Sequence, residues 1–438
     1  MKGISLFQGI FFGVLILCAV IGLFVFANYT NTGGAAASVG TVVVWGTLPA
    51  AEVDVALTQA VKADNSLKGV TYVEKPAASL ATDLAAAIAT GQGPDLVITS
   101  EEELLSLEPF LTPIALANIS ARAFTDTFAE GGQVFAAPGG KGYWGLPLAI
   151  DPLVLFYNRA ILSSTGVAAP PATWEALTGL VPQVAAYTPT KQVTRGLIAL
   201  GTYDNVHDAR GILSTLFLQT AVPITGEDAT GRVSADLGLA SAASAGGPPG
   251  PAVVRFYTQF ADPNKLSYTW NASLPDSEQA FQNGDLALYL GFASEARFLT
   301  AANPNLDFAV APTPEPATAS TKTTYGRVYA AMIPRGAKNA AGAYKAAALL
   351  AGAPEQAALA GATGLAPATL AALGAPPAGD ATAATAAASA LYARGWLSPS
   401  PAATDQVFSA MINAVVSGSA SIEQALSTAE QSLGAALN

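Results

Sequence analysis

Sulfur and imidazole are almost missing: the 438-residue chain has one cysteine, three methionines and one histidine. A single cysteine closes no internal disulfide, and a single histidine builds no His-rich metal centre. Serine–histidine–acid catalysis would have to run through His207 alone. Charge is thin, at 12% of residues, and 20 Lys and Arg against 31 Asp and Glu leave a net charge of −11. That acidic balance, with a pI near 4.6, excludes a protein built to grip nucleic-acid phosphates. A composition that is 51% hydrophobic, with a mean hydropathy of +0.39, excludes disordered, collagenous and coiled-coil chains. Much of that score is alanine, so the folded part is less oily than the number suggests. At roughly 150 residues per domain, the length suits two or three domains.

What is present begins with one long apolar run. Gly9 to Ala27 spans 19 residues without a charged or strongly polar side chain. At 1.5 Å per residue this reaches about 28 Å, close to the hydrocarbon thickness of a bilayer. Lys2 precedes the run and no basic residue follows until Lys62. The N-terminus is therefore expected in the cytoplasm and the rest outside the membrane. The run predicts an uncleaved anchor over residues 1–28, followed by a flexible linker over 29–40. Cleavage within Gly33–Ala37 is the alternative, although the run exceeds the usual apolar core of a signal peptide and no clear small-x-small site ends it. Cys18 follows Ile16 and Leu17 rather than the small residues of a lipoprotein, and reads as a small apolar side chain.

Beyond the linker, Val42–Trp45, Val70–Val73 and Leu96–Ile98 read as strands. Helical spacing separates them over 53–63 and 80–89, the second stopped by Gly91 and Gly93. This alternation predicts an α/β lobe with a largely parallel sheet. A second block opens at Gly145-Leu146-Pro147 with a strand at Leu153–Tyr157, and Thr173 is placed to cap a helix beginning near Trp174. Gly238 to Pro251 is too rich in glycine and proline for regular structure. Residues 340–390 predict alanine-rich helices broken by Pro354, Gly364, Pro367 and Pro376-Pro377. The tail, 406–437, predicts two helices split near Gly418. Gly139-Gly140-Lys141-Gly142 lacks the spacing of a phosphate loop.

Nine fragments, in order, carry a family resemblance. They include VVVWG, AAAIATGQGPDLVI, GYWGLPLAIDPLVLFYNRAIL, PPATWEAL, AFQNGDLALYLGFAS and AAMIPRGAKN. From about Thr41 to the C-terminus the chain resembles the extracellular solute-binding proteins of ABC importers, in the branch that includes maltose-binding protein. The resemblance implies an α/β, two-lobe periplasmic-binding-protein-like fold with a ligand cleft between the lobes, here preceded by one transmembrane helix. Lobe one would comprise 41–149 and 332–378, and lobe two 150–331 and 379–438. Crossovers would fall near Pro147–Pro152, Tyr325–Met332 and Pro376–Ala390.

A sugar needs aromatic plates for its faces and acids or amides for its hydroxyl rim. The pattern of strand ends and crossovers offers Trp45, Thr47, Glu101, Asp151, Asn205, Trp270, Asn271, Gly291, Tyr325 and Trp396 as ligand-binding candidates. Each has a second reading. Trp45 is either core or cleft wall, and Asp151 either meets the ligand, as the acid does in the resembling family, or caps the crossover backbone. Asn205 or Asp204 either lines the cleft floor or caps the helix near Arg210. Trp270 lies in a polar stretch with no apolar stripe to join, which favours contact with a ligand. Gly291 either lets a ligand approach or relieves packing. Glu101 either reaches a hydroxyl or, with Glu102 and Glu103, forms a solvated helix start. His207 reads as structural or solvent-facing.

The function these readings imply is a membrane-anchored extracellular or periplasmic receptor that captures a carbohydrate or similar small polar solute. It would hand that solute to ABC permease subunits, with no bond made or broken, no cofactor, no metal and no nucleic acid involved. Two other uses of the chain are a ligand sensor or adhesin on the same fold, and a glycoside hydrolase. The hydrolase would need a carboxylate pair such as Asp151 and Glu295, for which no spacing in the sequence argues.

Overall fold

The computed structural model describes residues 38–228, 230–239 and 247–437. The anchor expected over 1–28, most of the linker over 29–40 and the centre of the Gly238–Pro251 loop lie outside them. Among the described residues no helix is long and apolar enough to cross a membrane.

The chain opens with strand β1 (Val42–Gly46), helix α1 (Ala50–Ala63), β2 (Val70–Glu74), α2 (Ala77–Ala89) and β3 (Leu96–Ser100). β1 pairs in parallel with β2 on one side and β3 on the other. β1 alternates, burying Val42 and Val44 while Trp45 stays half-buried on the opposite face. β3 is buried at every position, as suits an inner parallel strand. Leu80 and Leu84, one turn apart on α2, are fully enclosed. The Asp95 carboxylate accepts from Val43 N at 3.0 Å and from Asn339 N at 2.8 Å, tying β1 to the start of a helix some 240 residues later.

The next long strand is β4 (Gly145–Asn158), 14 residues in one piece. The sequence suggested a strand only over Leu153–Tyr157; Pro147 and Pro152 sit inside β4 instead, because extended backbone suits their fixed φ at the loss of one donor each. β5 (Val193–Ile198), β6 (Leu286–Phe292), β7 (Phe308–Pro312) and β8 (Thr324–Pro334) follow. The first half of β4 pairs with β8, and its second half pairs with β6 and β7, all antiparallel. β8 also pairs antiparallel with β3, and β6 pairs in parallel with β5. The main sheet therefore runs β2-β1-β3-β8-β4-β6-β5. It is mixed rather than largely parallel. Two parallel groups are joined through β8, which pairs with β3, and β4, which pairs with both β8 and β6.

Helices cover this sheet. α3 (Trp174–Val184) is capped as expected, Ala176 N donating to Thr173 Oγ1 at 3.2 Å. α4 (Ala209–Gln219) is buried along most of its length. α5 starts at Pro249 (Pro249–Thr258), taking in the last three residues of the stretch read as loop, because a proline fits the first turn of a helix. α6 (Ser277–Asn283) and α7 (Ala296–Ala302) flank β6. The alanine-rich region forms α8 (Ala340–Leu350), α9 (Ala353–Thr363) and α10 (Ala381–Ala390), with Pro354 opening α9 rather than breaking it. The tail gives α11 (Pro401–Val416) and α12 (Ile422–Ala436), each capped by a serine, with Gly418 at φ +71° between them.

Candidate functional site

The carboxyl end of β3 and the middles of β4 and β8 meet through their pairing, and Ser294, just past the carboxyl end of β6, joins them at Asp151; open α/β sheets place their ligands beyond such strand ends. Asp151 of β4 lies opposite Arg327 of β8 in the ladder. From the end of β3 come Glu101, Glu102 and Glu103, at 0%, 5% and 6% exposure. The sequence allowed a solvated helix start here; the structure buries all three against β8. Val328 N donates to Glu101 Oε2 at 2.6 Å, and Tyr325 Oη donates to Glu101 Oε1 at 3.3 Å. A Cβ added at Gly395 would fall 2.7 Å from Glu101 Oε1, so this side chain is wedged between strand and loop.

Glu102 is the hub. Its carboxylate accepts from Tyr325 Oη at 2.8 Å and pairs with Arg210 Nη1 at 3.1 Å and Arg327 Nε at 3.2 Å. Arg210, at the start of α4, also reaches Asp405 at 3.4 Å, and Tyr203 Oη donates to the same carboxylate at 2.6 Å. Arg327 lies with its guanidinium carbon 3.8 Å from the ring centre of Phe292, a cation–π contact inside the site. Asp151 accepts from Ser294 N at 3.1 Å and Ser294 Oγ at 2.6 Å. On the far side, Tyr289 Oη donates to Glu295 Oε2 at 2.5 Å and lies 3.5 Å from Asp208 Oδ2.

Beside this network opens a polar cavity of about 360 Å³, bordered by Tyr203, His207, Asp208, Arg210, Arg327 and Asp405 among others. A larger cavity of about 630 Å³ lies between 293–301 and 357–387. Alanine, glycine and proline make up most of its wall, which gives a polar solute few partners, so the smaller cavity is the better candidate. Among the described residues, His207 groups with Asp208 and Glu295, and again with Asp276 and Glu278, with ligand atoms within 4.8 Å of one another. The nearest pair, His207 Nδ1 and Asp276 Oδ1, is 3.7 Å apart. His207 itself is exposed.

The sequence candidates divide. Glu101, Asp151 and Tyr325 belong to the network, and Gly291 adjoins it: a Cβ there would lie 2.6 Å from Glu295 Oε2. Thr47 shares a 3.0 Å hydroxyl contact with Thr99 at the ends of β1 and β3. Trp45 lies beneath Lys75, whose Nζ is 4.1 Å from the ring centre. Asn205 holds a loop together, donating to Asn271 O at 2.9 Å and Leu274 O at 3.0 Å. Asn271 closes its own turn by accepting from Ser273 N at 2.9 Å. Trp270 is 1% exposed, its ring against Gly196 in the core, although its neighbours in sequence are polar. Trp396 is 5% exposed, stacks on Phe408 at 6.4 Å and donates to Ser214 Oγ at 3.1 Å. Glu102, Arg210, Arg327, Asp208 and Asp405 also belong to the site and are not among the candidates that the sequence pattern offers. The available signal was a charged residue inside an apolar run, as in TYGRVYAAMIP, in a chain with so little charge.

Burial sets the proton affinities. It raises Glu101 to about 8, with the Glu102 charge adding to the effect. Glu103 is raised to about 7 by the same two causes. Asp151 is raised to about 6 by burial, opposed by its bonds to Ser294 and by Arg327. Glu295 is held well above the usual range by burial and by the neighbouring Asp208. An acid raised in the folded state binds protons more tightly there than in the unfolded chain. Its stabilising effect is complete below the unfolded value near 4 and is lost as pH rises through the folded value. Stability is therefore expected to fall from about pH 4.5 to 8, each such group contributing at most about 1.4 kcal/mol per pH unit. Glu101→Gln should flatten this slope in urea titrations at several pH values; an unchanged slope would remove Glu101 from the account.

The sequence pattern of the bacterial extracellular solute-binding protein family matches residues 56–390. A sequence search of curated proteins found no match. Among solved structures, the cyclic alpha-maltosyl-1,6-maltose binding protein of Arthrobacter globiformis is similar at a TM-score of 0.71 and 18% identity, covering 91% of this chain and 98% of that one. The sugar-binding protein MalE of Xanthomonas citri is similar at 0.71 and 18% identity, covering 91% and 97%. The maltotriose binding protein of Thermus thermophilus is similar at 0.64 and 18% identity, covering 91% and 100%. At these identities the likeness is one of fold, an α/β periplasmic-binding-protein-like fold. With the family pattern spanning most of the chain, the protein belongs to the bacterial extracellular solute-binding proteins, a family that binds rather than catalyses.

Proposed function

We propose that this protein captures a carbohydrate or similar small polar solute outside the membrane and delivers it to the permease of an ABC importer, tethered by its N-terminal segment. The observation that carries the reading is the polar cavity beside the Glu102–Arg210–Arg327 network, at the ends of strands from both parallel groups. Fold alone does not name a ligand. Support for a sugar comes from the neighbours, whose names include maltose and maltotriose binders. The lobes would be residues 41–149 with 332–378 and 150–331 with 379–438. β4 and β8 cross between them, and bending near Asp151 and Arg327 would open and close the cleft. Closure strips water from the solute, and the closed form is what a permease would recognise; differential affinity for that form sets the lobe equilibrium.

Calorimetric titration of the full-length protein in detergent, with mono- and oligosaccharides, tests the reading. Saturable binding in the micromolar range, about −8 kcal/mol, is expected, together with a smaller radius of gyration by X-ray scattering. A flat titration across neutral, cationic and anionic sugars would count against it.

A further inference from the structure

Two arginines on the wall of the small cavity hold donors that the protein does not match. Among the described residues, Arg210 Nη1 and Arg327 Nε are buried and make no hydrogen bond. Glu102 stands 3.1 and 3.2 Å from them, near enough for ion pairing, but their N–H groups point past its oxygens. One carboxylate is thus shared by two guanidiniums. The second acid beside Arg210, Asp405, is 3.4 Å away and takes its shorter bond, 2.6 Å, from Tyr203 Oη. Arg327 has no other ion-pair partner within 4.0 Å among the described residues. Buried donors are rarely left unmatched, and charged ones are the costliest to leave so.

The acids on the same wall are matched. Asp208 is hydrogen-bonded to Glu295, which burial keeps protonated, and lies 3.5 Å from Tyr289 Oη. Asp204 accepts from Ser409 Oγ at 2.8 Å and Asn413 Nδ2 at 3.2 Å, and Asp276 caps α6 by accepting from Glu278 N at 2.9 Å. The side chains of Asp276 and Asp405 are 41% and 47% exposed, against 12% and 26% for Arg210 and Arg327. The acids therefore form a solvated rim and the arginines the floor. None of the five tryptophans lines the cavity, so hydrogen bonds rather than stacking must hold what enters it.

Resting on the solute-binding reading above, we infer that the solute is a sugar acid, and that its carboxylate seats between Arg210 and Arg327. A carboxylate brings two oxygens with about four acceptor sites, and guanidinium forks match that planar group. Turning the forks toward it gives Arg210 Nη1 and Arg327 Nε the aligned acceptors that Glu102 withholds. A neutral hydroxyl brings one oxygen and no charge. The rim acids keep lone pairs for the ring hydroxyls, so both halves of such a solute find partners. At about 360 Å³ the cavity is at the small end for ligand sites and suits one ring better than a long chain.

The test titrates the full-length protein in detergent, near neutral pH, with D-glucuronate, D-galacturonate, their neutral parents D-glucose and D-galactose, D-glucuronamide and maltotriose. At least one uronate is expected to bind about ten-fold or more tightly than its neutral parent, and glucuronamide no better than glucose. Arg210→Gln and Arg327→Gln should each bring that uronate to within about two-fold of its parent. Where a glutamine variant does not fold, Arg210→Lys or Arg327→Lys keeps the charge and loses the fork; it should weaken the uronate at least about five-fold more than the parent. Equal binding of uronates and parents, or an advantage that survives in the arginine variants, overturns the inference. If a neutral sugar or maltotriose binds best, the carboxylate is wrong and the carbohydrate reading stands. If no sugar saturates, both fail.

Discussion

Replacing Glu102 by alanine is expected to cost about 3–5 kcal/mol of folding stability, among the largest effects of any substitution near the site. Its side chain is 7% exposed and stands between Arg210 and Arg327, themselves 12% and 26% exposed. Removing the carboxylate leaves two guanidiniums facing each other with much less water than they need, and leaves the Tyr325 hydroxyl with only the long 3.3 Å contact to Glu101. The cost is that of stranded charge, not of a lost contact. Glu102→Gln should be milder, because the amide oxygen still accepts from Tyr325. Urea denaturation of the two variants reads the difference as a shift in midpoint at constant slope. A loss below about 1 kcal/mol for the alanine variant would mean that the trio behaves as a solvent-exposed pair.

Trp396→Ala and Trp270→Ala are expected to destabilise by about 3–5 kcal/mol each, the cost of emptying a large packed site. Trp396 also gives up its indole bond to Ser214 and its stacking on Phe408, so the α11 tail should loosen first. Trp270 has no partner for its indole nitrogen, which makes Trp270→Phe mild by comparison. Solute affinity of the folded fraction should move little in either alanine variant. Titration of refolded, monodisperse protein checks this: a hundred-fold loss of affinity with stability intact would make the tryptophan a plate for the solute after all.

Much of the architecture could be read from the chain because it depends on local pattern. β1, β2 and β3 and their helices follow from runs of β-branched residues and from apolar spacing, and the Thr173 cap follows from one residue type at one place. The joining strands were harder. Pro147 and Pro152 mark a stiff extended segment ahead of the strand at Leu153–Tyr157, but that the two form one 14-residue strand depends on its pairing with β8, which the sequence does not display. The site was harder still. Glu101 and Glu102 are adjacent and alike in sequence; which of them meets Arg210 and Arg327 depends on how β3 docks on β8, more than 220 residues downstream. Trp270 and Trp396 have the chemistry of a plate for a sugar, but tertiary packing, which sequence does not display, puts both inside. Charged residues carry little periodic signal, so Asp208 and Asp405 came into view only with the fold.

β3 has β1 on one edge, but its other edge waits for Tyr329–Met332 of β8, and β1 is fastened to Asn339 through Asp95. Until translation has passed residue 339, the first hundred residues hold an open strand edge and cannot complete their own layer. Contacts of such sequence separation are slow to form. A nascent chain of this topology is expected to leave its first layer incomplete until residue 339 has been made, which favours threading through a secretion channel before that layer closes.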